Sequence, residues 1–426
     1  MQREMFDTTP TDPVFRRRVF YIPGYDPFHP RRYRELYRSE SADQAKISGY
    51  EIGLSARQGG EVYGWKVASR MDGRVTVADV DVLVWSDIVR GSMSNSIPAT
   101  YWQLVRTAWT YIASGTLRRL MWMRKGPVIA ALYPIGMLLL QLLAALLLAW
   151  IPAKALALLG GALAGWTGVP AIAAVITTLS WLAWGAGIWA ILRWFKGQDG
   201  KIYAYYLMHD YAYSARYNGA IPQALEDRMA QFGDRIAAAL GDPDLDEVLV
   251  VGHSSGAHLG VSIIADLLRA GRVPQDGPEL AFLSLGQVVP MVSFLPDAWR
   301  LRADLAEMAV QTRVPWIDVT APGDGCSFAL CDPVAVSGVA PESAHWPLIL
   351  SAAFTQTLSP ERWRELRWRF FRLHFQYLCA FDRPRDYDYF RITAGPVTLR
   401  ERFEGRAPSK SRIDVPASKY TALAPQ

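Results

Sequence analysis

Residues 247–256 read Glu247-Val248-Leu249-Val250-Val251-Gly252-His253-Ser254-Ser255-Gly256. The apolar run after Glu247 predicts a buried strand, and residues 256–270 predict a helix that begins directly after it. The pattern Gly-x-Ser-x-Gly therefore lies at a sharp strand-to-helix turn, where small residues let strand and helix approach closely. Such a turn exposes the serine hydroxyl and places it near the free N–H groups that begin a helix. We expect Ser254 to be a nucleophile on an α/β sheet.

Short strands and helices alternate on both sides of this turn. Before it, strands are predicted near residues 19–22, 51–56, 63–69 and 74–85, and after it near residues 280–285 and 314–320. Apolar residues at helical spacing predict further helices at residues 98–123 and 222–240. This alternation predicts a mainly parallel sheet covered by helices on both faces.

A long uncharged region interrupts the α/β pattern. No ionisable side chain of Asp, Glu, Lys, Arg or His lies between Lys125 and Lys154 or between Lys154 and Arg193. A bilayer core of about 30 Å needs roughly 20 apolar residues in a helix. Residues 128–151 and 171–192 are therefore predicted to form a transmembrane hairpin, the alternative being two buried core helices. The intervening glycines and Pro170 are expected to break the helix, so that residues 155–167 lie at the interface or re-enter the membrane.

Basic residues flank this hairpin on both sides. The first span is preceded by Arg118, Arg119, Arg124 and Lys125, and the second is followed by Arg193, Lys196 and Lys201. Because short cytoplasmic segments carry an excess of Lys and Arg, both flanks are expected in the cytoplasm. The sequence thus predicts a multi-pass protein of the cell (inner) membrane. Its parts are residues 14–125 and 197–395, which form one α/β domain, the hairpin 126–196, and a polar, poorly ordered tail 396–426.

Composition narrows the possible partners. Forty-five basic residues against 40 acidic ones give a net charge of +5, which suits anionic lipid headgroups and does not indicate nucleic-acid binding. An apolar fraction of 51% excludes a disordered chain. Three cysteines are too few for a disulfide framework. Metal-ligand spacings and nucleotide-binding motifs are absent from the sequence, so neither a metal nor another cofactor is expected.

The strand, turn and helix around Gly252-His253-Ser254-Ser255-Gly256 resemble the α/β-hydrolase superfamily, which includes many lipases, esterases and thioesterases. The resemblance covers about residues 14–395, with the hairpin as an insertion. It implies a serine nucleophile, followed along the chain by an acid and a histidine. It also implies that the Ser255 N–H stabilises the oxyanion, together with Gly24 or Tyr25 after the first strand. The HGGG-type loop of lipases is absent, and a Pro-Gly-Tyr turn stands in its place.

The resemblance also assigns the two remaining catalytic residues. The acid should follow a later strand, which favours Asp324 over Asp318 within that strand and over Asp332 beyond it. Two histidines follow Asp324, namely His345 and His374. His374 is favoured because its H-x-x-Y setting is similar to that of some α/β-hydrolases. Residues 361–378 can also form one unbroken helix, however, with His374 on its face.

These expectations combine into one functional hypothesis and one alternative. The hypothesis is a membrane-anchored serine hydrolase, a lipase- or esterase-like enzyme that cleaves an acyl ester or thioester through a Ser254–His374–Asp324 triad and an acyl-enzyme intermediate. Its partners would be the lipid bilayer and an amphiphilic acyl substrate. The alternative is a non-catalytic membrane interaction module that keeps the fold. Arginines and aromatic residues at positions 362–372 could either rest on anionic headgroups or form a solvated helix with an aromatic core face.

Overall fold

A computed structural model describes residues 14–57, 62–93 and 96–425 of the 426-residue chain. The contacts between residues divide the chain into two compact units. The sheet unit contains the described parts of Met1–Gly91, Thr110–Val128 and Ser214–Gln426. The hairpin unit contains the described parts of Ser92–Trp109 and all of Ile129–Tyr213.

The sheet unit is built on one sheet, which has eight strands in the part of the chain that the structure describes. Its strands are β1 (Val14–Ile22), β2 (Glu51–Ala56), β3 (Gly64–Met71), β4 (Arg74–Val82), β5 (Glu247–His253), β6 (Glu279–Leu285), β7 (Trp316–Thr320) and β8 (Leu348–Ser351). They are arranged in the order β2-β3-β4-β1-β5-β6-β7-β8. The six neighbouring strands β4, β1, β5, β6, β7 and β8 run parallel, whereas β3 is antiparallel to both β2 and β4. The prediction of a mainly parallel α/β sheet is therefore confirmed.

Helices connect and cover these strands. Before the candidate nucleophile they are α1 (Arg31–Ser48), α2 (Ser86–Ser92), α3 (Ile97–Ala113), α4 (Thr116–Met123), α5 (Lys125–Thr167), α6 (Pro170–Gly197), α7 (Asp199–Ile202), α8 (Ala204–Arg216) and α9 (Gln223–Leu240). After it they are α10 (Gly256–Arg269), α11 (Val289–Ser293), α12 (Trp299–Val310), α13 (Pro333–Val336), α14 (Phe354–Thr357), α15 (Pro360–Leu366), α16 (Phe370–His374), α17 (Tyr389–Ala394) and α18 (Leu399–Arg402). A 3-10 turn spans Gln376–Leu378. The helix predicted at residues 98–123 is two helices, because Gly115 adopts a left-handed φ of 75° between α3 and α4.

The centre of the sheet is β1 beside β5. Every residue of β5 is buried, as expected for a strand with neighbours on both edges and helices on both faces. Arg17 is buried in β1, where its guanidinium pairs with Glu247 of β5 and donates to the carbonyl oxygen of Gly395. The buried charge is thus both paired and hydrogen-bonded, which explains how a basic stretch occupies a central strand.

The hairpin unit contains the two long apolar helices. In the described part of the chain, α5 and α6 are the helices whose length and hydropathy would suffice to cross a membrane. In the most apolar 18-residue stretch of each helix, 28% of α5 and 6% of α6 is buried. The two helices therefore differ from the buried core helices that were the alternative.

The helix α5 continues through Gly160, Gly161 and Gly165 to Thr167, so these three glycines do not break it, whereas the predicted break at Gly168 and Pro170 is confirmed. Glycine lowers the stability of an exposed helix, but here it allows close helix packing. A Cβ added to Gly160 would lie 2.5 Å from Ile176 of α6, and one added to Gly187 would lie 2.9 Å from Ala149 of α5. The chain turns only at Gly168, which has a φ of 67°.

The C-terminal residues pack on the sheet unit, in contrast to the poorly ordered tail that their polarity predicts. The amide of Ile413 donates to the Leu330 carbonyl at 2.7 Å, and Ala417 is buried. Arg302, itself fully buried, donates to the carbonyl oxygen of Ala422 at 2.9 Å. Backbone hydrogen bonds, which composition does not reveal, therefore hold this segment.

Candidate active site

The turn between β5 and α10 holds the candidate nucleophile. Ser254 has a φ of 57°, a left-handed conformation that costs a non-glycine residue of order 1–3 kcal/mol. Two hydrogen bonds keep the turn in place: its amide donates to the Leu285 carbonyl at 2.9 Å, and its carbonyl accepts from the Ala257 amide at 3.1 Å. Ser254 is partly exposed between the buried residues His253 and Ser255. The backbone thus directs a serine out of a buried turn.

Glycines allow the chain to pass close to this turn. A Cβ on Gly256 would overlap the carbonyl oxygen of Ile22, and one on Gly252 would lie 2.5 Å from the Gly256 oxygen. The end of β1 also approaches the serine, since a Cβ on Gly24 would lie 2.9 Å from Ser254 Cβ and 3.3 Å from its Oγ. Larger residues at these positions would force β1, β5 and α10 apart.

The predicted oxyanion donors lie around the serine. Ser255 precedes the first residue of α10, where helix N–H groups have no intrahelical partner. Gly24 lies against Ser254, and the buried Tyr25 follows it in the chain. Gly24, Tyr25 and Ser255 are therefore brought to one place, on two sides of the serine.

The predicted acid and base form a buried pair. His374 Nδ1 lies 2.8 Å from Asp324 Oδ2. The other carboxylate oxygen, Oδ1, accepts from the Cys326 amide at 2.9 Å, and the Tyr377 hydroxyl donates to Oδ2 at 3.0 Å. The Tyr377 hydroxyl accepts in turn from the Ala321 amide at 2.9 Å. Because Nδ1 faces the carboxylate, the Nε2 atom of His374 is left to exchange a proton elsewhere.

This environment favours an ionised carboxylate. Burial alone would raise the pKa of Asp324, but the His374 charge and hydrogen bond, with the bonds from Cys326 and Ser327, hold that pKa below its ordinary value. An ionised acid beside Nδ1 stabilises a protonated imidazole and fixes its orientation.

An interruption of the helix at Arg369 directs His374 towards Asp324. Residues 361–378 form α15, α16 and a 3-10 turn, rather than one helix, and Arg369 lies at the break with a ψ of 66°. His374 is the last residue of α16 and is 7% exposed. The single-helix alternative is therefore wrong, and the histidine projects from a helix end.

The end of β6 connects the serine turn to the histidine. Gly286 has a φ of 53°, and a Cβ there would lie 3.1 Å from His374 Cε1 and 2.7 Å from the Tyr377 ring. The preceding residue, Leu285, accepts the hydrogen bond from the Ser254 amide. Two consecutive residues thus contact both sides of the candidate site.

His253 supports the histidine from the other side. Its Nε2 lies 3.0 Å from the His374 carbonyl oxygen, and the two rings have centroids 4.9 Å apart. Burial, reinforced by the charge of His374, lowers the pKa of His253 to about 3. The neutral ring can therefore donate Nε2–H to that carbonyl and hold the backbone of His374 in place.

The sheet topology explains why these residues meet. Gly24, Ser254, Gly286 and Asp324 follow β1, β5, β6 and β7, whose carboxyl ends lie at the same edge of the sheet. The chain order reverses between β1 and β5, and α/β sheets bind ligands at such a reversal.

The alternative site residues lie elsewhere. Asp318 is buried within β7, accepts a hydrogen bond from Ser284 at 2.5 Å, and has its pKa raised to about 8 by burial. Asp332 caps the start of α13 by accepting from two backbone amides. His345 is exposed and precedes β8, at the amino-end edge of the sheet, where its amide donates to the Ala309 carbonyl. None of these three is joined to the Asp324–His374 pair in the described structure.

One group of side chains has the composition of a metal site. Donor atoms of Asp324, Cys326 and His374 lie within 4.8 Å of one another in the part of the chain that the structure describes. His374 Nδ1 is already hydrogen-bonded to Asp324 Oδ2. That hydrogen bond explains why these donor atoms lie close together.

Sequence reasoning assigned no role to Tyr377 and no partner to His253, which it placed only as a residue that lines or supports the pocket. Tyr377 was visible as the tyrosine of the H-x-x-Y spacing, and His253 as the variable residue of the Gly-x-Ser-x-Gly turn. Their roles depend on contacts across the sheet edge, which no local pattern encodes.

Comparison of the chain with protein-family models, curated proteins and solved structures gave no match.

Proposed function

We propose that this protein is a membrane-anchored serine hydrolase with an α/β-hydrolase fold, cleaving an acyl ester or thioester of a lipid-like substrate. The observation that carries the proposal is the left-handed Ser254 in a strand–turn–helix, at the same sheet edge as a buried Asp324–His374 pair. A strained serine of this kind persists only where surrounding structure enforces it, which is typical of functional sites.

The proposed reaction proceeds in two steps. In the first, Ser254 Oγ attacks the acyl carbonyl carbon while His374 Nε2 takes the hydroxyl proton, and the same nitrogen returns it to the departing alcohol or thiol. In the second, water attacks the acyl-serine, giving up a proton to His374, and the carboxylic acid leaves as the serine is restored. Asp324 stabilises the imidazolium in both steps. The N–H groups of Ser255 and of Gly24 or Tyr25 are proposed to stabilise the oxyanion.

A membrane location is supported by α5 and α6. Apolar side chains cover the outside of both helices, and the exposed ones include Leu139, Leu140, Leu143, Leu147, Val175 and Leu182. Exposed leucines in that number are costly in water but suit a lipid environment. We propose that the two helices form a transmembrane hairpin in the inner membrane, with both flanks in the cytoplasm. Attachment to the bilayer would raise the local concentration of amphiphilic substrates.

Labelling with a fluorophosphonate probe tests the catalytic proposal. Detergent-solubilised wild-type protein should be labelled, and Ser254→Ala should lose the label entirely because the attacking oxygen is removed. His374→Ala should label far more slowly, whereas His345→Ala, at the other sheet edge, should label like the wild type. Equal labelling of wild type and Ser254→Ala would refute the hydrolase and leave the non-catalytic module as the better explanation.

Reporter fusions test the membrane proposal separately. Alkaline phosphatase is active only outside the cytoplasm, and a fluorescent protein folds well inside it. Fused after residue 426, the fluorescent reporter should be bright and the phosphatase inactive. A reporter inserted at Gly168, where the chain turns between α5 and α6, should give the opposite result, and matching signals at both sites would exclude the hairpin.

A further inference from the structure

Residues 367–372 expose aromatic side chains to solvent. They follow α15 and include the first residues of α16. Trp368 is 72% exposed and Phe370 is 45% exposed. Their ring centroids lie 6.5 Å apart, so they form one patch rather than two isolated residues. We call residues 367–372 the basic–aromatic segment. A contiguous exposed patch of aromatic residues is more typical of an interaction site than of the rest of a protein surface.

The surroundings of this segment carry excess positive charge. Residues 361–372 contain five arginines and two glutamates. Arg369 and Arg372 share one carboxylate, Glu365, and both are more than half exposed. Arg367 has no carboxylate within ion-pair distance in the described part of the chain, and its guanidinium lies 5.6 Å from the Trp368 ring centroid. The patch therefore presents cations and aromatic faces together, a combination that matches an anionic, amphiphilic surface.

The same segment lies on the loop that carries the candidate acid. A Cβ on Gly325 would lie 3.3 Å from the Phe370 ring, and one on Gly323 would lie 2.7 Å from the Trp363 ring. Aromatic side chains of this region thus cover the residues on both sides of Asp324. The segment also leads directly into His374, two residues beyond Arg372.

The first apolar helix begins beside this loop. A Cβ on Gly126, the second residue of α5, would lie 3.5 Å from Cα of Gly325. The Arg124 guanidinium fixes this approach by donating to the Ala329 carbonyl at 2.9 Å. From Gly126 the chain enters its uncharged run. The acid loop and the basic–aromatic segment therefore lie beside the residues at which α5 begins.

We propose that the basic–aromatic segment is a membrane-docking surface that binds the headgroups of anionic phospholipids in the leaflet where α5 begins. The site would then take its ester substrate from that leaflet. This inference rests on the proposed hydrolase function for the substrate and on the proposed hairpin for the location. The occupant is the lipid surface, since cations for phosphates and a tryptophan for the interfacial zone are both present.

Hydrogen–deuterium exchange tests docking without requiring catalysis. The full-length Ser254→Ala protein is placed in nanodiscs of phosphatidylcholine alone or mixed with phosphatidylglycerol. The amides of residues 367–372 should exchange more slowly in the anionic discs, while those of the exposed turn at residues 342–345 should be unchanged. The double variant Arg367→Gln/Trp368→Ala should lose the difference. Equal exchange in both lipids would overturn the docking proposal even if the enzyme proved active.

Kinetics on two substrates test the route of the substrate. Arg367→Gln should lower kcat/KM for an ester dispersed in phosphatidylglycerol discs by about fivefold, the contribution expected of one surface cation. Hydrolysis of a water-soluble short-chain ester should be unaffected, and Arg367→Lys should restore the rate on discs. Arg272→Gln serves as the matched control, since Arg272 is a half-exposed, ion-paired arginine before β6, at the opposite sheet edge.

The outcomes separate the two proposals. Loss of both activities in Arg367→Gln would mean that Arg367 supports the fold or the site, and would overturn docking. Unchanged activity on discs, or protection of residues 367–372 only when a second protein molecule is present, would also overturn it. Absence of any ester hydrolysis by the wild type, with exchange protection retained, would refute the hydrolase and leave the docking surface in place.

Discussion

Tyr377 connects the candidate acid to the end of β7 through a single hydroxyl. That oxygen donates to Asp324 Oδ2 at 3.0 Å and accepts from the Ala321 amide at 2.9 Å. It therefore ties the carboxylate to the strand before it. We classify Tyr377 as a positioning residue, because its hydroxyl acts on the base only through Asp324.

Removing this hydroxyl should weaken catalysis without removing the nucleophile. Tyr377→Phe should lower kcat/KM by about tenfold, the effect of losing a buried hydrogen bond worth about 1.5 kcal/mol. The pH profile of kcat/KM should change as well, because the Asp324 carboxylate loses one of its hydrogen-bond donors. Tyr37→Phe is the control: its hydroxyl bonds to Thr393 at 2.8 Å, away from the acid, and its loss should affect stability alone. Identical profiles for wild type and Tyr377→Phe would contradict the assignment.

Asp318 in β7 and Asp324 in the loop after β7 give opposite expectations for the effect of an asparagine substitution on kcat. Asp324→Asn should lower kcat by about 10⁴-fold, since an amide favours the wrong histidine tautomer. Asp318→Asn should keep kcat within about threefold, because a buried aspartate whose pKa is raised to about 8 is already neutral at pH 7. Both are measured as steady-state rates on a soluble ester. A severe loss of activity in Asp318→Asn alone would identify it as the acid.

At the scale of elements, the approach of α10 to β1 depends on one glycine. Gly256→Ala should abolish probe labelling and lower the thermal midpoint, because the added Cβ would overlap the Ile22 carbonyl and push α10 from the sheet. Gly233→Ala in α9 is the matched control, where the added Cβ would meet Leu267 at an ordinary 3.7 Å. That variant should raise stability by about 0.5–1 kcal/mol. A fully active Gly256→Ala protein would show that the turn tolerates separation.

The elements differ in how far their sequences reveal them. The apolar run of β5 and the helical spacing of α9 were sufficient, because burial imposes a strong pattern over many residues. The strand β8 was not predicted: four residues, Leu348–Ser351, carry too little pattern. The length of α5 was also misjudged. Glycine weakens a helix on its own, but the contact of Gly160 with Ile176 is a tertiary property.

The candidate site was predictable to a similar degree. Ser254 follows from a local motif, and Asp324 and His374 follow from chain order and spacing within the resemblance. The break at Arg369, which turns His374 towards Asp324, could not be read from a segment rich in good helix formers. Nor could the hydrogen bond from His253, which joins residues 121 positions apart.

At the scale of the whole molecule, two buried groups should give stability opposite pH dependences. The pKa of His253 is lowered to about 3 by burial, so below about pH 6.5 the unfolded chain binds a proton that the folded protein does not, and stability falls as the pH falls. The pKa of Asp318 is raised to about 8 by burial, so between about pH 4 and 8 only the unfolded chain releases its proton, and stability falls as the pH rises.

Thermal midpoints at pH 5 and pH 7 test this pair. His253→Gln should make the midpoint at pH 5 higher relative to that at pH 7 than in the wild type, and Asp318→Asn should make it lower. Glutamine can still donate to the His374 carbonyl, and asparagine can still accept from Ser284, so the folds should be comparable. Shifts of the same sign in the two variants would contradict a neutral His253 and a protonated Asp318 in the folded protein.

The position of β1 between β4 and β5 determines the order in which the nascent chain can fold. Its pairing with β4 needs only residues that leave the ribosome early, whereas β5 emerges after both α5 and α6. One edge of β1, with Arg17 still lacking Glu247, therefore stays open while the two most apolar segments are being synthesised. The sheet can therefore be completed only after both apolar helices have been synthesised, and the serine turn, the Asp324 loop and His374 follow them in that order along the chain.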